Sequence, residues 1–181
     1  MGLTTLTEVY ERYSYHVGGG DKGTVHDYLP TYERHMTRRD NVTVCEIGVW
    51  FGHSIAMWNE YFTNSTVYGL DIDYGRLQFD LPNLITVDAT NPEAVTAALG
   101  ELTFDYVIDD GSHRVRDQVA SFDVLWPRVK LGGCYFIEDI DGDAALETLQ
   151  NHIDQLNLNW CLYDGRGPDR QWDELMLVVT K

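Results

Sequence analysis

From residue 42 onward, short apolar runs alternate with longer segments of helical character, and this alternation restricts the chain to a small set of folds. The runs are Val42 to Val49, Thr66 to Leu70, Leu84 to Val87, Phe104 to Ile108, Cys134 to Ile137, Trp160 to Tyr163 and Leu175 to Thr180. Helices are expected between them at Ser54 to Phe62, Pro92 to Leu99, Arg114 to Val129 and Asp143 to Leu156, with Pro92 suited to a first helical turn. Strands buried on both faces read as continuous apolar runs, and right-handed crossovers place helices on both sides of the sheet. The expected fold is α/β, a doubly wound sheet of seven strands. Asp73 to Asn83 contains Gly75 and Pro82, so the crossover there carries a short helix or none.

Ahead of the sheet, Leu3 to Tyr13 and Thr24 to Thr37 are read as two helices separated by Gly18-Gly19-Gly20. The chain is expected to be one domain over residues 1–181, with 1–40 as a helical cover and 41–181 as the core. Its 181 residues suit a single core, and 44% hydrophobic with 23% charged residues is a globular composition. No run approaches the ~20 apolar residues of a membrane helix, so no membrane partner is expected. The N-terminal residues lack a basic and apolar leader, and Cys45, Cys134 and Cys161 are odd in number and set in apolar segments as buried thiols. Both point to the cytoplasm. Thirteen basic residues against 29 acidic ones give a net charge of −16, which opposes phosphate backbones and argues against nucleic acid.

Two of the apolar runs end in carboxylates. Phe104 to Ile108 leads into Asp109-Asp110-Gly111-Ser112-His113, and Tyr135 to Ile137 into Glu138-Asp139. In open α/β sheets ligands bind beyond the carboxyl ends of strands, and these two strands are expected to be neighbours. Asp110, Glu138 and Asp139 are therefore candidate ligands of one hard cation, Mg²⁺ or another divalent ion, since no Cys/His cluster accompanies them. Successive strand residues face opposite ways, so Glu138 and Asp139 can share an ion only if the strand has already ended. His113 is the candidate general base, because imidazole titrates near neutrality, and a cation makes an acceptor hydroxyl easier to deprotonate. The polar segment Asp164 to Glu174 is read as a loop beside the site, where Arg166, Arg170 and Trp172 can meet a substrate.

Val44 to Gly52 reads as a strand entering a glycine-bearing turn and then a helix. Dinucleotide loops need a second glycine where the backbone approaches a pyrophosphate, and here Trp50 takes that place, which argues against NAD or FAD. The E-x-G-x-x-x-G spacing instead resembles the first motif of class I S-adenosylmethionine methyltransferases. Asp71 ends the second run at the distance where a ribose diol is commonly gripped. Asp88 ends the third; in the methyltransferases that the chain resembles, an acid there lies near the adenine amino group.

Four segments, Asp21 to Tyr28, Glu46 to Ser54, the DDGSH run ending at His113 and the pair Glu138-Asp139, resemble the metal-dependent sugar O-methyltransferases that act on macrolide and rhamnosyl groups. The resemblance implies a Rossmann-like sheet, mostly parallel with an antiparallel last strand. It also implies Mg²⁺ bound by Asp110, Glu138 and Asp139, with His113 as base and Asp110 in the catalytic set. S-adenosylmethionine is then expected against Lys22, His26, Glu46, Gly48, Ser54, Asp71, Asp88 and Asp109, with Asp21 to Tyr28 folded over it. The implied acceptor is a sugar or glycoside hydroxyl, with rhamnose preferred. Some relatives carry an additional N-terminal domain for assembly and acceptor enclosure that is not recognised here, so homo-oligomerisation is left open. The alternatives are a catechol or phenol acceptor, a non-catalytic S-adenosylmethionine-binding module, and an NAD-dependent oxidoreductase.

Overall fold

The structure, a computed structural model, describes residues 4–14, 20–168 and 171–181; the expectations placed on Leu3, Gly18, Gly19 and Arg170 lie outside these residues. The strands are β1 (Thr43–Ile47), β2 (Thr66–Asp71), β3 (Leu84–Thr86), β4 (Phe104–Asp109), β5 (Val129–Ile137), β6 (Asn159–Asp164) and β7 (Leu175–Thr180). They form one sheet in the order β3-β2-β1-β4-β5-β7-β6. Only β7 runs antiparallel to its neighbours, pairing so with both β5 and β6. The helices are α1 (Leu6–Ser14), α2 (Leu29–His35), α3 (His53–Tyr61), α4 (Pro92–Leu99), α5 (Val115–Leu125) and α6 (Gly142–Gln155). This is the doubly wound sheet expected from the alternation, with its switch point between β1 and β4.

The pleat divides the core into two. Val44, Tyr106, Ile108, Cys134, Phe136, Met176 and Val178 face α1, α2 and α3. Cys45, Val107, Tyr135, Ile137, Leu177 and Val179 face α4, α5 and α6. Each central strand is thus apolar on both faces, which produces the continuous hydrophobic runs. From Val44, Tyr106 and Cys134 onward the even-numbered residues of β1, β4 and β5 share the face of the N-terminal helices.

The boundaries move where local chemistry intervenes. Pro127 has no N–H to continue an α-helix, so α5 stops at Leu125 and a short 3₁₀ turn follows at Trp126–Arg128. β5 begins five residues before the apolar run, because Lys130-Leu131-Gly132-Gly133 belongs to the strand although Leu131 is exposed. The second N-terminal helix starts at Leu29, with Pro30 in its first turn, and residues 21–28 instead form turns closed by Thr24 and His26 N–H groups on the Asp21 carbonyl. α4 starts where expected, since the Asn91 side chain accepts from the Glu93 and Ala94 N–H groups at 3.1 and 3.0 Å. No helix forms between β2 and β3. Cys45 and Cys134 are buried free thiols, but Cys161 lies exposed on the edge strand β6. Among the described residues no helix is long and apolar enough to cross a membrane.

Candidate active site

The parity of the sheet carries past the strand ends. Glu46 on β1, Asp110 just beyond β4 and Glu138 just beyond β5 are all even-numbered, and all three turn toward the N-terminal helices. There they meet Lys22. Its ammonium lies 2.6 Å from Asp110 Oδ2, 2.7 and 2.8 Å from the two Glu138 oxygens, and 3.3 Å from Glu46 Oε1. Lys22, Glu46 and Glu138 are each no more than 2% exposed. Burial opposes the lysine's charge, but Asp110 and Glu138 outweigh it and hold the ammonium well above its ordinary range. Three carboxylates on one ammonium leave an excess of negative charge. Burial pushes Glu46 up to about 7 and Glu138 higher than usual, against the pull of Lys22.

Asp139 parts company with Glu138. β5 ends at Ile137, and Asp139 adopts a left-handed backbone (φ 49°) that swings its carboxylate away from Lys22. Its Oδ1 accepts from the Tyr28 hydroxyl at 2.8 Å and lies 3.5 Å from His26 Nε2, while Oδ2 lies 3.6 Å from His113 Nδ1. Glu138 is received instead by Lys22 and by a short hydrogen bond from the Tyr32 hydroxyl. Tyr28 and Tyr32 are four residues apart, on one face of the segment opening α2, so each tyrosine takes one acid of the pair. Asp110 joins the two halves: Oδ2 faces Lys22, and Oδ1 lies 3.2 Å from His113 Nε2. Burial disfavours a charged His113 ring, but Asp110 and Asp139 overcome it and raise its pKa to about 9.

Ligand atoms of Asp110, His113 and Asp139 therefore lie within 4.8 Å of one another, and so do those of Asp21, His26 and Asp139. Glu138 belongs to neither group as the structure stands. Among the described residues seven non-glycine residues have positive φ, four of them asparagines, which tolerate it. The other three, Trp50, His113 and Asp139, all lie in loops at the carboxyl ends of β1, β4 and β5. Strained backbone of this kind persists where surrounding structure enforces it, and it concentrates at functional sites.

On the β1 side, Gly48 has φ +84° and packs so closely on the next loop that a Cβ would stand 1.9 Å from the Asp110 carbonyl oxygen. Asp71 Oδ2 accepts from the Val49 and Trp50 N–H groups at 2.7 and 3.2 Å, so the acid ending β2 fixes the glycine-bearing turn. Ser54, in the first turn of α3, lines a small cavity of about 10 Å³ beside Lys22, together with Tyr10, His53 and Met57. Asp88 is exposed, and its carboxylate accepts from Thr90 N–H and hydroxyl at 2.9 and 2.7 Å, closing its own turn.

Three of the residues expected against the cofactor are engaged with other protein groups. Lys22 and His26 contact the carboxylates. Asp109, odd-numbered, faces α5, where its carboxylate accepts from the Ser121 and Tyr135 hydroxyls and burial raises its pKa to about 6. In the 164–174 segment, Arg166 is committed to Asp164 and Asp143, whereas Trp172 is 59% exposed over an open depression lined also by Gln171. Glu174 accepts from Asp27 N–H at 3.1 Å, which seats this segment beside residues 26–28. Sequence reasoning missed Tyr28 and Tyr32; they stand four residues apart, but more than a hundred positions from the acid pair, so only their spacing was visible. For Gln118, whose side chain donates to the Glu138 carbonyl at 2.8 Å, no local pattern existed.

No protein-family model matches the chain. It is 38% identical over 135 residues to 8-demethyl-8-alpha-L-rhamnosyl tetracenomycin-C 2'-O-methyltransferase of Streptomyces olivaceus, a match covering 67% of this chain and 35% of that protein. It is 36% identical over 129 residues to demethylmacrocin O-methyltransferase of Streptomyces fradiae, covering 65% and 33%. The chain thus spans about a third of the length of these curated relatives. Among solved structures, MycE methyltransferase from the mycinamycin biosynthetic pathway, in complex with Mg, SAH and mycinamycin VI, superposes with a TM-score of 0.76 at 29% identity, covering 98% of this chain and 54% of that one. By sequence and by fold, the chain is a homologue of the sugar O-methyltransferases that modify macrolide and polyketide glycosides, built on the class I methyltransferase fold.

Proposed function

We propose that this chain is an S-adenosylmethionine- and Mg²⁺-dependent O-methyltransferase whose acceptor is a sugar hydroxyl, with a rhamnose-like deoxysugar on a glycoside as the preferred substrate. The convergence of Asp110, His113 and Asp139 beyond two neighbouring strands, next to the glycine turn and Asp71, carries this reading. The donor set fits a hard divalent cation: all the candidate ligands are carboxylates, and the Lys22 ammonium among Asp110 and Glu138 already stands in for one. Asp110 and Asp139 would hold the cation, with Glu138 as a third ligand. When bound, such a cation supplies charge that acidifies an acceptor hydroxyl.

The remaining tasks fall to the chain itself. His113, 39% exposed at its side chain, is open to an acceptor and is the group that takes the hydroxyl proton. With Asp110 and Asp139 as its charged neighbours the ring keeps its own proton at neutral pH, so its use as a base requires those charges to be compensated. Asp71 is assigned to the ribose and Asp88, two residues past β3, to the adenine side, while Gly48 with Ser54 shapes the wall on the β1 side of Asp71. Glu46 and Asp109 act as positioning residues, the first through Lys22 and the second through α5. Trp172 offers an aromatic face to the acceptor.

The names of two curated relatives specify rhamnosyl acceptors, which favours a deoxysugar over a catechol. The test is mass spectrometry of an acceptor panel incubated with S-adenosylmethionine and Mg²⁺. Methyl gain on rhamnosides with none on catechols is expected; gain on catechols alone replaces the acceptor, and no gain with retained S-adenosylmethionine binding favours a binding module.

A further inference from the structure

Resting on the reading above, we infer that Lys22 is the resident counter-ion of the metal site, and that a divalent cation binds by exchange with its ammonium. The ammonium occupies the oxygens that a cation would need: both oxygens of Glu138 and one of Asp110, at 2.6 to 2.8 Å. It is buried, and no exposed lysine forms contacts of this kind by chance side-chain excursion; burying an ammonium among carboxylates costs solvation that only this geometry offsets. A second cation cannot share these oxygens with it, because the two positive charges would lie well within direct contact distance of each other.

The cavity lined by Tyr10, Lys22, His53, Ser54 and Met57 is about 10 Å³, room for no more than a water, so the displaced side chain leaves the carboxylates toward solvent. The backbone of the Lys22 segment is held in place meanwhile. Tyr10 donates to the Gly20 carbonyl, Gly23 packs against Tyr10 and Leu29, and the Lys22 carbonyl accepts from Tyr28 N–H at 2.9 Å. Movement is therefore confined to the Lys22 side chain, whose released ammonium becomes open to solvent. A net charge of +2 then replaces +1 beside Glu46, Asp110 and Glu138, which compensates the excess negative charge of the nest more fully.

The test reads Lys22 itself. The full-length protein is treated with an amine-reactive ester with and without saturating Mg²⁺, and Lys22 modification is quantified by mass spectrometry alongside calorimetric Mg²⁺ titration. Lys22 is expected to be protected without Mg²⁺ and labelled at least tenfold faster with it, while Lys130 and Lys181 label equally in both. Lys22→Met is expected to bind Mg²⁺ at least tenfold more tightly than the parent chain and to gain more in melting temperature from it. Mg²⁺ binding with Lys22 still protected and an unchanged affinity in Lys22→Met overturns the exchange but leaves the metal reading intact. No Mg²⁺ binding to either protein overturns both.

Discussion

Asp105 at the start of β4 offers the sharpest test of how this sheet is held, because it sits on the same strand as Asp110 but at the opposite end. Its Oδ2 accepts from Thr43 N–H at 2.8 Å and from Lys130 Nζ at 2.8 Å, and its Oδ1 from Arg38 Nη1 at 2.6 Å, so one buried carboxylate ties β1, β4 and β5 together. Asp105→Ala removes all three bonds. The bond from a backbone N–H to a charged acceptor is worth about 1.5–3 kcal/mol. Lys130 and Arg38 are partly exposed and rehydrate, so each adds only about 0–1 kcal/mol. The expected loss is about 3 kcal/mol, or ~6–12 °C in melting temperature for a domain of this size. Burial pushes the Asp105 carboxyl up, but Lys130, Thr43 and Arg38 outweigh it and hold it below the ordinary carboxylate range. A lowered folded pKa means that the stabilisation is complete above the unfolded value of about 3.9 and is lost as pH falls through it toward the folded value. Urea denaturation of both proteins at pH 7 and near pH 3 should therefore show a larger difference at the first than at the second. A difference under about 0.5 kcal/mol at pH 7 would refute the reasoning, since no charge-assisted backbone bond is worth so little. So would an equal difference at both pH values, which assigns the loss to packing instead.

Other substitutions probe the opposite end of the sheet. Gly48→Ala places a Cβ 1.9 Å from the Asp110 carbonyl oxygen at a left-handed backbone position, and S-adenosylhomocysteine binding by calorimetry should fall below detection with a lowered melting temperature. Tyr28→Phe removes the hydrogen bond to Asp139 Oδ1 and should weaken Mg²⁺ binding by about 10–100-fold, with a stability cost near ~1 kcal/mol; an unchanged Mg²⁺ affinity would free Asp139 from this support. His113→Ala should lower the rate of methyl transfer by roughly 10²–10⁴-fold while leaving S-adenosylhomocysteine affinity within about twofold, and a near parental rate removes the histidine from the base role.

Much of this was readable in the residues because two periodicities coincide. Strands covered on both faces are largely apolar, so Phe104 to Ile108, interrupted only by Asp105, and Leu175 to Thr180 stood out against polar flanks, and the acids after Ile108 and Ile137 marked the carboxyl ends of two strands. The start of β5 was not readable, since Lys130 and Gly132 carry no strand pattern and their pairing is decided by β4 and β7. Asp109 illustrates a different limit. One residue of register separates it from Asp110, and only the parity of β4 sends the first to Ser121 and the second to Lys22. The same alternation puts Glu46, Asp110 and Glu138 on one face once the register of β1, β4 and β5 is known. It fails at Asp139, whose direction is set by a left-handed backbone and by Tyr28, a residue more than a hundred positions away. Lys22 was expected near the cofactor because nothing local reveals that three carboxylates from three strands converge on it.

The central claim is that carboxylates at the ends of β4 and β5 make methyl transfer depend on a divalent cation. Transfer of an isotope-labelled methyl group from S-adenosylmethionine to a rhamnoside, measured with Mg²⁺, with a chelator and in Asp110→Asn, tests it most directly. The account predicts labelled product with Mg²⁺, none with chelator, restoration on adding Mg²⁺ back, and loss in Asp110→Asn without loss of S-adenosylhomocysteine binding. Equal product with and without chelator, or parental activity in Asp110→Asn, would contradict it.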